Sequence, residues 1–516
     1  MVILGDQNYY TEYTTIFMFP FQTLISIDKN TAFPAYKQLA NRLITLIQEG
    51  RILPGSFLPS TREFADMLQV NRKTITRAYE ELISQNWLEG IPKKGFRIIP
   101  DLPLIRPRSF DPRKKKKLKE SASEKIAAQA IAQDINLPFV PPEHHLMKST
   151  DIVVNDGFPD ANLLPFEELF RAYRRQLNSK KIIQQMALRD DGGLPQLKKS
   201  VSGFLNETRG LNISTEEIVM TRGAQMAIYI AATLLLKPGD LVAVTDPNYP
   251  FANDVIKQCG AQLIQFPVDA DGLDIDLLTE ALKKKPIRLL YLVPHHHHPT
   301  TVTLSASRRL KLLQLIKEYD LWVIEDDYDY DFHFKSSPIL PLASSDHDGK
   351  IIYIGSFTKL LATPFRIGYL IAAPAFVRDA IRLRRIIDLR GDALMEQTLT
   401  DMINNGELSR HIKKSNKLYM QRCNYLCGLL EERLGNAVSF KKPPGGMAVW
   451  LVFNEKINLP ELIKKASLSG VYLAGYAYYQ KGNENHNGIR FGFASLTEPQ
   501  MDRAIDVISK LVGENF

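Results

Sequence analysis

S-F-T-K-L-L-A-T-P-F-R-I-G-Y, Ser356 to Tyr369, follows the apolar run I-I-Y-I-G at Ile351–Gly355. The run predicts a short, fully buried strand over 351–354. Lys359 then sits among small hydroxyl and apolar residues. Such surroundings disfavour the charged form of a lysine, lower its pKa and make its amine nucleophilic. A lysine of this kind can form a Schiff base with an aldehyde. Ser356, Thr358 and Arg366 stand beside it in sequence and together suit an anion such as phosphate. A surface lysine after a strand is the competing reading, and the upstream sequence weighs against it.

That upstream stretch is L-W-V-I-E-D-D-Y-D-Y-D, Leu321 to Asp331, a second buried strand running into acidic residues and a tyrosine. Asp326 lies 33 residues before Lys359, and Tyr328 lies 31 before it. Spacing and context together resemble the pyridoxal-phosphate site of the aminotransferase type I fold. The resemblance implies that pyridoxal 5'-phosphate is the cofactor. It implies that Asp326 pairs with the pyridine nitrogen, Tyr328 bonds the ring hydroxyl and Lys359 holds the aldehyde. I-V-M-T-R-G-A-Q-M-A-I, Ile218–Ile228, reads as a strand, a glycine turn and a helix start. Amides at such a helix N-terminus bind phosphate, so Gly223, Ala224 and Gln225 form the expected cup, completed by Ser356 and Arg366. An ordinary strand-to-helix turn is the alternative. Tyr249, after the strand L-V-A-V-T-D, falls where this fold stacks a ring on the cofactor. Arg490, in G-I-R-F-G-F-A, falls where the family clasps a substrate carboxylate at two points, a task suited to a planar guanidinium. A structural ion pair is the alternative there.

Y-L-V-P-H-H-H-H-P-T-T, Tyr291–Thr301, departs from the family pattern. The related regulators usually write Ser-His-Gln-aromatic-Pro-Thr-Gly here, and aminotransferases place an asparagine where His298 stands. Thr301 occupies the glycine place. Four successive histidines, His295 to His298, suggest metal, but neighbours in one loop rarely point to one centre, so no metal is expected.

The chain has 516 residues, 45% of them hydrophobic, enough for two or three domains with sizeable cores. Three cysteines suggest neither a disulfide scaffold nor a zinc fold, and are compatible with a reducing cytoplasm. Cys423 and Cys427 are one helical turn apart, on one expected buried face. The run Ile16–Ile27 is apolar but short, without a basic start or a cleavage site, so neither a signal peptide nor a membrane span is expected. The net charge is +8, and residues 1–120 hold 19 Lys plus Arg against 12 Asp plus Glu, a surplus of seven. A basic first module on a nearly neutral body points to an anionic polymer as its partner.

Residues 1–20 show no usable periodicity, and Met18 competes with Met1 as the start. Leu24–Asp28 reads as a short strand. Pro34-Ala35-Tyr36 opens an amphipathic helix with Leu39, Leu43, Leu46 and Ile47 at helical spacing, closed by the turn residues of 50–55. Ser60 caps a second helix, with Glu63 three residues on. Val70-Asn71 breaks the pattern, and a third helix carries Asn71, Arg72, Lys73, Thr74 and Arg77 in its first two turns. That is a helix-turn-helix with a basic recognition helix. Trp87-Leu88 and Ile91–Ile98 predict a two-stranded wing with a basic tip. The set resembles the winged helix of the GntR regulators over about residues 24–100, with Asn86 where the family often has glycine. The resemblance implies DNA contacts from Arg62, Arg72, Lys73, Thr74 and the wing at Lys94-Gly95, and Asn71 joins them at the helix start.

The expected organisation is therefore a winged helix at 24–100, a basic linker at 101–148, and a pyridoxal-phosphate-dependent aminotransferase type I fold at 149–516. The last is α/β, with a large domain built on a mixed sheet and a small C-terminal α/β domain. The linker is rich in Pro, Lys, Arg and Ala; Lys114–Lys117 could add salt-sensitive contact with DNA, or could simply be solvated, and Glu120–Asp134 could form an exposed helix. The whole resembles the MocR subgroup of the GntR regulators. That resemblance implies a DNA-binding regulator of transcription, an operator in double-stranded DNA, a small amino compound as effector exchanging with Lys359 at the Schiff base, and a homodimer. A linker of 48 residues spans roughly 35–40 Å as a coil, near one turn of DNA, so paired arms reach two half-sites. A working aminotransferase with an accessory DNA-binding arm is the second reading; a basic helix-turn-helix, which a metabolic enzyme has no need of, separates the two.

Overall fold

The computed structural model describes residues 20–28, 31, 33–100, 151–178, 191–334, 339–361, 365–474 and 486–513. The expected linker, with Lys114–Lys117 and the segment 120–134, lies outside the described residues, as do both candidate starts. The chain divides into two compact units, Met1–Ala132 and Gln133–Phe516.

In the first unit the helix Ala35–Gln48 buries Leu39, Leu43, Leu46 and Ile47. It packs with the helices Thr61–Leu68 and Arg72–Ser84 around Phe64, Ile75, Tyr79 and Leu82. Ser60 Oγ accepts from Glu63 N at 3.3 Å, the cap expected for the first helix of the pair, and Asn71 Oδ1 accepts from Lys73 N at 2.9 Å and caps the second. Strand β1 (Phe57–Leu58) pairs antiparallel with β3 (Gly95–Ile98), which pairs with β2 (Leu88–Ile91) to form the wing. Arg97 and Glu89 face each other across it at 2.7 Å. Asn86 has φ +56, which explains why it replaces glycine: asparagine tolerates the left-handed region better than most residues.

The strand expected over Leu24–Asp28 does not form. Phe21–Leu24 is one helical turn, and Phe21 and Ile25, four residues apart, are both buried. Phe21 meets the Phe64 ring edge-on at 4.9 Å. Arg42 Nε donates to the Leu24 carbonyl at 2.7 Å, and the Gln38 side chain takes both backbone groups of Asp28. Side chains satisfy this backbone where a ladder was expected.

The second unit opens with β4 (Ile152–Val154) and the helices Phe166–Leu177 and Pro195–Arg209, the latter ended by Gly210 in the left-handed region. Eight strands follow in one mixed sheet. They are β5 (Ile218–Thr221), β6 (Leu241–Asp246), β7 (Gln262–Asp269), β8 (Gly272–Leu273), β9 (Ile287–Leu292), β10 (Trp322–Asp326), β11 (Ile351–Ser356) and β12 (Gly368–Ile371). Their spatial order is β5-β12-β11-β10-β9-β6-β7-β8, with β12 and β8 antiparallel to their neighbours. β5, β11 and β12 are buried at every position, as continuous apolar runs predict for strands covered on both faces.

A smaller sheet of β13 (Val438–Phe440), β14 (Ala448–Phe453) and β16 (Gly488–Gly492) lies in the C-terminal part, and β15 (Val471–Leu473) pairs with β4. A further helix spans Pro374–Asp388. Proline at its first turn starts it, and Leu389 at φ +59 stops it. The helix Glu407–Arg433 buries Cys423 and Cys427 as expected. Among the described residues no helix is long and apolar enough to cross a membrane.

Candidate functional site

The carboxyl ends of the parallel strands open on a cavity of about 250 Å³, where open α/β sheets bind their ligands. β5 leads through Arg222 into the helix Ala224–Leu235, and Ala224 and Gln225 line the cavity. Gly223 has φ +80, and a Cβ there would stand 3.2 Å from Cζ of Arg366. A Cβ on Gly368 would stand 2.7 Å from the Gly223 backbone. Glycine at both places lets the Arg366 guanidinium lie beside the helix N-terminus. First-turn amides there lack helical partners, and the helix dipole adds positive potential. Ser356 and Thr358, at the end of β11, join the same wall, with Thr358 N donating to Ser356 Oγ at 3.1 Å.

β10 ends on Asp326. Register pairs Tyr291 of β9 with Ile324, two residues before it and so on the same face. Tyr291 Oη donates to Asp326 Oδ2 at 2.7 Å, while Oδ1, buried, has no partner among the described residues. Burial pushes the Asp326 carboxyl up to about 7; the Tyr291 bond opposes this, and the charges of Asp327 and Asp329 reinforce it. The neighbouring acids turn elsewhere. Glu325 accepts from the amides of Leu342 and Ala343, Asp327 from Tyr353 Oη, and Asp331 from Arg209 at 2.6 Å.

Lys359 Nζ donates to the Gly157 carbonyl at 2.8 Å and lies 3.9 Å from the centre of the Phe158 ring. Burial lowers its pKa to about 8, against the pull of Asp156 and with the help of Arg490. Tyr249 lines the cavity beside the His298 ring, centroids 5.1 Å apart. Tyr328 also lines it and donates to the His296 carbonyl at 3.0 Å. Arg490, on β16, is 1% exposed. Its Nη2 donates to Tyr328 Oη at 2.8 Å, Nη1 to the Pro299 carbonyl at 3.0 Å and Nε to the Asp156 carbonyl at 2.8 Å. It is thereby joined to the cavity wall through Tyr328 and Asp156.

The four histidines are all buried and go four ways. His295 meets Arg309 at 3.1 Å, His296 Nδ1 meets Asp329 at 3.0 Å, His297 lies between Thr245 and Thr300, and His298 Nε2 stands 3.5 Å from Asp156. Only His298 of the four lines the cavity among the described residues, and burial lowers its pKa to about 4, leaving it neutral at pH 7. Thr301, in the glycine place, has φ +63, a strained conformation for a β-branched residue. Thr301 N donates to the His297 carbonyl and His297 N to the Val302 carbonyl, both at 2.7 Å, which holds it there.

Asp156, Phe158, Phe251, Tyr291, Val293 and His298 also line the cavity; of these, the sequence reading weighed only His298. Tyr291 carried a readable signal: a tyrosine inside an apolar strand needs a hydrogen-bond partner for its hydroxyl.

In the first unit, Arg62, Asn71, Arg72, Lys73, Lys94 and Gly95 are exposed, and Thr74 is half-buried. Arg62 stands on the first helix of the pair, residues 71–74 at the start of the second, and Lys94-Gly95 at the wing tip. The Asn71 side chain is occupied as the helix cap, which gives it a structural task there.

Residues 160–508 match the aminotransferase class I and II family, and residues 35–98 match the bacterial regulatory proteins of the gntR family. The chain is 28% identical over 378 residues to aromatic-amino-acid aminotransferase 1 of Thermococcus litoralis, covering 72% of this chain and 90% of that one. It is 25% identical to the probable rhizopine catabolism regulatory protein MocR of Rhizobium meliloti, over 94% of both chains. To the HTH-type transcriptional regulator TauR of Rhodobacter capsulatus it is 26% identical, over 92% of this chain and 96% of TauR. Among solved structures, the kynurenine aminotransferase of Pyrococcus horikoshii superposes with a TM-score of 0.69 at 26% identity, covering 75% of this chain and 98% of that one.

Proposed function

The chain belongs to the aminotransferase class I and II family and carries a gntR-type DNA-binding module ahead of that domain, and we propose from this premise that it regulates transcription by sensing a small amino compound at its pyridoxal-phosphate site. The observation that carries the reading is one cavity holding Lys359, Asp326 and the helix N-terminus beside Arg366, in a chain whose first unit exposes a basic helix-turn-helix.

The cavity suits pyridoxal phosphate. Three buried polar atoms on its wall, Asp326 Oδ1, Thr358 Oγ1 and Gln225 Oε1, have no partner among the described residues, and a bound polar ring and phosphate supply partners of the kind such groups require. When bound, pyridoxal phosphate supplies an aldehyde electrophile. Lys359 offers its amine to that aldehyde. Ala224, Gln225, Ser356, Thr358 and Arg366 would hold the phosphate, with Gly223 allowing the close approach. Asp326 Oδ1 accepts from a protonated ring nitrogen, whose charge would bring the carboxyl back toward its ionised form. Tyr328 would meet the ring hydroxyl and Tyr249 the ring face. Arg490, joined to Tyr328, feels which amine is present.

Exchange of Lys359 for the effector amine changes what occupies the cavity wall. If the two states favour different arrangements of a homodimer assembled through residues 149–516, the winged helices at 24–100 change their hold on an operator through the linker. The second reading, a working aminotransferase with a DNA-binding arm, has the same groups in its favour. A coupled turnover assay across the common amino acids separates them: sustained 2-oxo-acid formation supports the enzyme, and an amine-dependent spectral change without turnover supports the sensor.

Asp326 makes a separate prediction. The folded chain holds its proton up to about pH 7, whereas the ordinary carboxyl releases it near 3.8. Between those values the folded state binds more protons than the unfolded one, so this group's contribution to stability falls as pH rises. Cofactor-free Asp326→Asn should therefore unfold at a higher temperature than cofactor-free wild type at pH 8, and the difference should vanish toward pH 4. The same variant should release pyridoxal phosphate faster. Thermal unfolding across pH checks the first, and an unchanging difference contradicts it.

A further inference from the structure

We propose that the amino compound recognised in this cavity carries a second cationic group, as a short alkane diamine does, and that Asp156 and Phe158 hold that group. The proposal rests on the reading that an amine enters this cavity to reach the cofactor.

The surroundings of Lys359 suggest it. Its Nζ lies 3.9 Å from the Phe158 ring centre and 5.9 Å from that of Tyr328. It donates to the Gly157 carbonyl at 2.8 Å, and the Asp156 carboxylate shares the cavity and acts on its charge. A carbonyl and a ring against one nitrogen, with a second ring and a carboxylate on the same cavity wall, make a site for an ammonium group. The protein's own lysine fills that site here. An ammonium has three N–H donors, and a nitrogen bonded to an aldehyde carbon as a protonated imine keeps one. Attachment of Lys359 would free these partners for another ammonium, and an amine that displaces it, arriving neutral, would return Lys359 as a neutral amine, so the charge facing Asp156 is the compound's own.

Asp156 is the discriminating charge. Burial pushes its carboxyl up, but the His298 hydrogen bond and the charges of Lys359 and Arg490 outweigh this and hold it below the usual carboxylate range. It is ionised at neutral pH, while neighbouring His298 is neutral. Arg490 already makes hydrogen bonds to the Asp156 carbonyl, the Pro299 carbonyl and Tyr328. A carboxylate approaching Arg490 would stand beside the like charge of Asp156, and a second ammonium would meet an opposite one. Phe158, 37% exposed, adds a ring face at the open side.

The test titrates the full chain, loaded with pyridoxal phosphate, with 1,4-diaminobutane, 1-aminobutane, 4-aminobutanoate and L-alanine while following visible absorbance. The half-saturating concentration of the diamine should lie at least about tenfold below those of the other three. In Asp156→Asn the diamine and 1-aminobutane should come within about twofold of each other, and Asp156→Glu should keep the diamine ahead. Ratios within one variant cancel a general loss of affinity. A diamine no better than 1-aminobutane, or a preference that survives Asp156→Asn, overturns the proposal. A spectrum altered at lower concentration by 4-aminobutanoate or L-alanine overturns it and leaves the sensing reading standing. A spectrum that none of the four amines alters overturns both.

Discussion

Lys359→Ala should abolish the covalent link to pyridoxal phosphate and with it the yellow absorbance of the loaded protein. Lys359 is buried, with its pKa lowered to about 8, and no other lysine lines the cavity among the described residues. The phosphate contacts proposed for Ala224, Gln225, Ser356, Thr358 and Arg366 do not involve Lys359. The variant should therefore still take up pyridoxal phosphate, as the free aldehyde, with a shifted spectrum that reduction by borohydride does not fix to the chain. Wild type treated in the same way should retain the cofactor through denaturation. A wild type that stays colourless after incubation with pyridoxal phosphate contradicts the assignment of Lys359, as does a variant with an unchanged band.

The second large effect concerns DNA. Arg62→Ala, Arg72→Ala and Lys73→Ala combined should lower affinity for a cognate operator at least about a hundredfold, since a good base contact contributes about 1–3 kcal/mol. The three side chains are exposed on the two helices of the pair, and none is part of the buried core around Phe64 and Tyr79. Loss of folding is therefore not the expected cause. Arg72→Ala alone sorts base reading from phosphate binding. If Arg72 reads a base, specific affinity falls and random DNA is little affected. If it touches phosphate, both fall alike and the salt slope shrinks by about one. Equal binding by wild type and the triple variant to every DNA tested would remove this module as the reader.

The parts legible in the sequence were those whose chemistry sits at a fixed offset from a strand or helix end. Asp326 closes β10 and Ser356 closes β11, while Gly223 opens a helix straight after β5. In each case the apolar run announces the element and the next residue carries the group. Asp156 and Phe158 gave no such signal, because folding carries them to Lys359 from some 200 residues away. The histidine run read as ambiguous because a sequence does not show where each ring turns. The buried loop sends one to Asp329, one to Thr245 and Thr300, and one to Asp156. Two departures from the family pattern became intelligible only through backbone angles. Asn86 and Thr301 both stand at positive φ, at the two places where the resemblance leads to an expectation of glycine. Asparagine bears this easily, whereas threonine is held there by the hydrogen bonds of its loop. Leu24–Asp28 misled because a short apolar piece reads equally as strand or turn when its partner is unknown.

The central claim is that amine and DNA act on one equilibrium. It is tested most directly by titrating the full, pyridoxal-phosphate-loaded chain with an amine that alters its absorbance, once alone and once with saturating operator DNA. Operator should shift the amine's half-saturating concentration by the same factor by which saturating amine shifts the affinity for operator, as linkage requires. Superimposable amine curves with and without operator, with cofactor bound throughout, would contradict it.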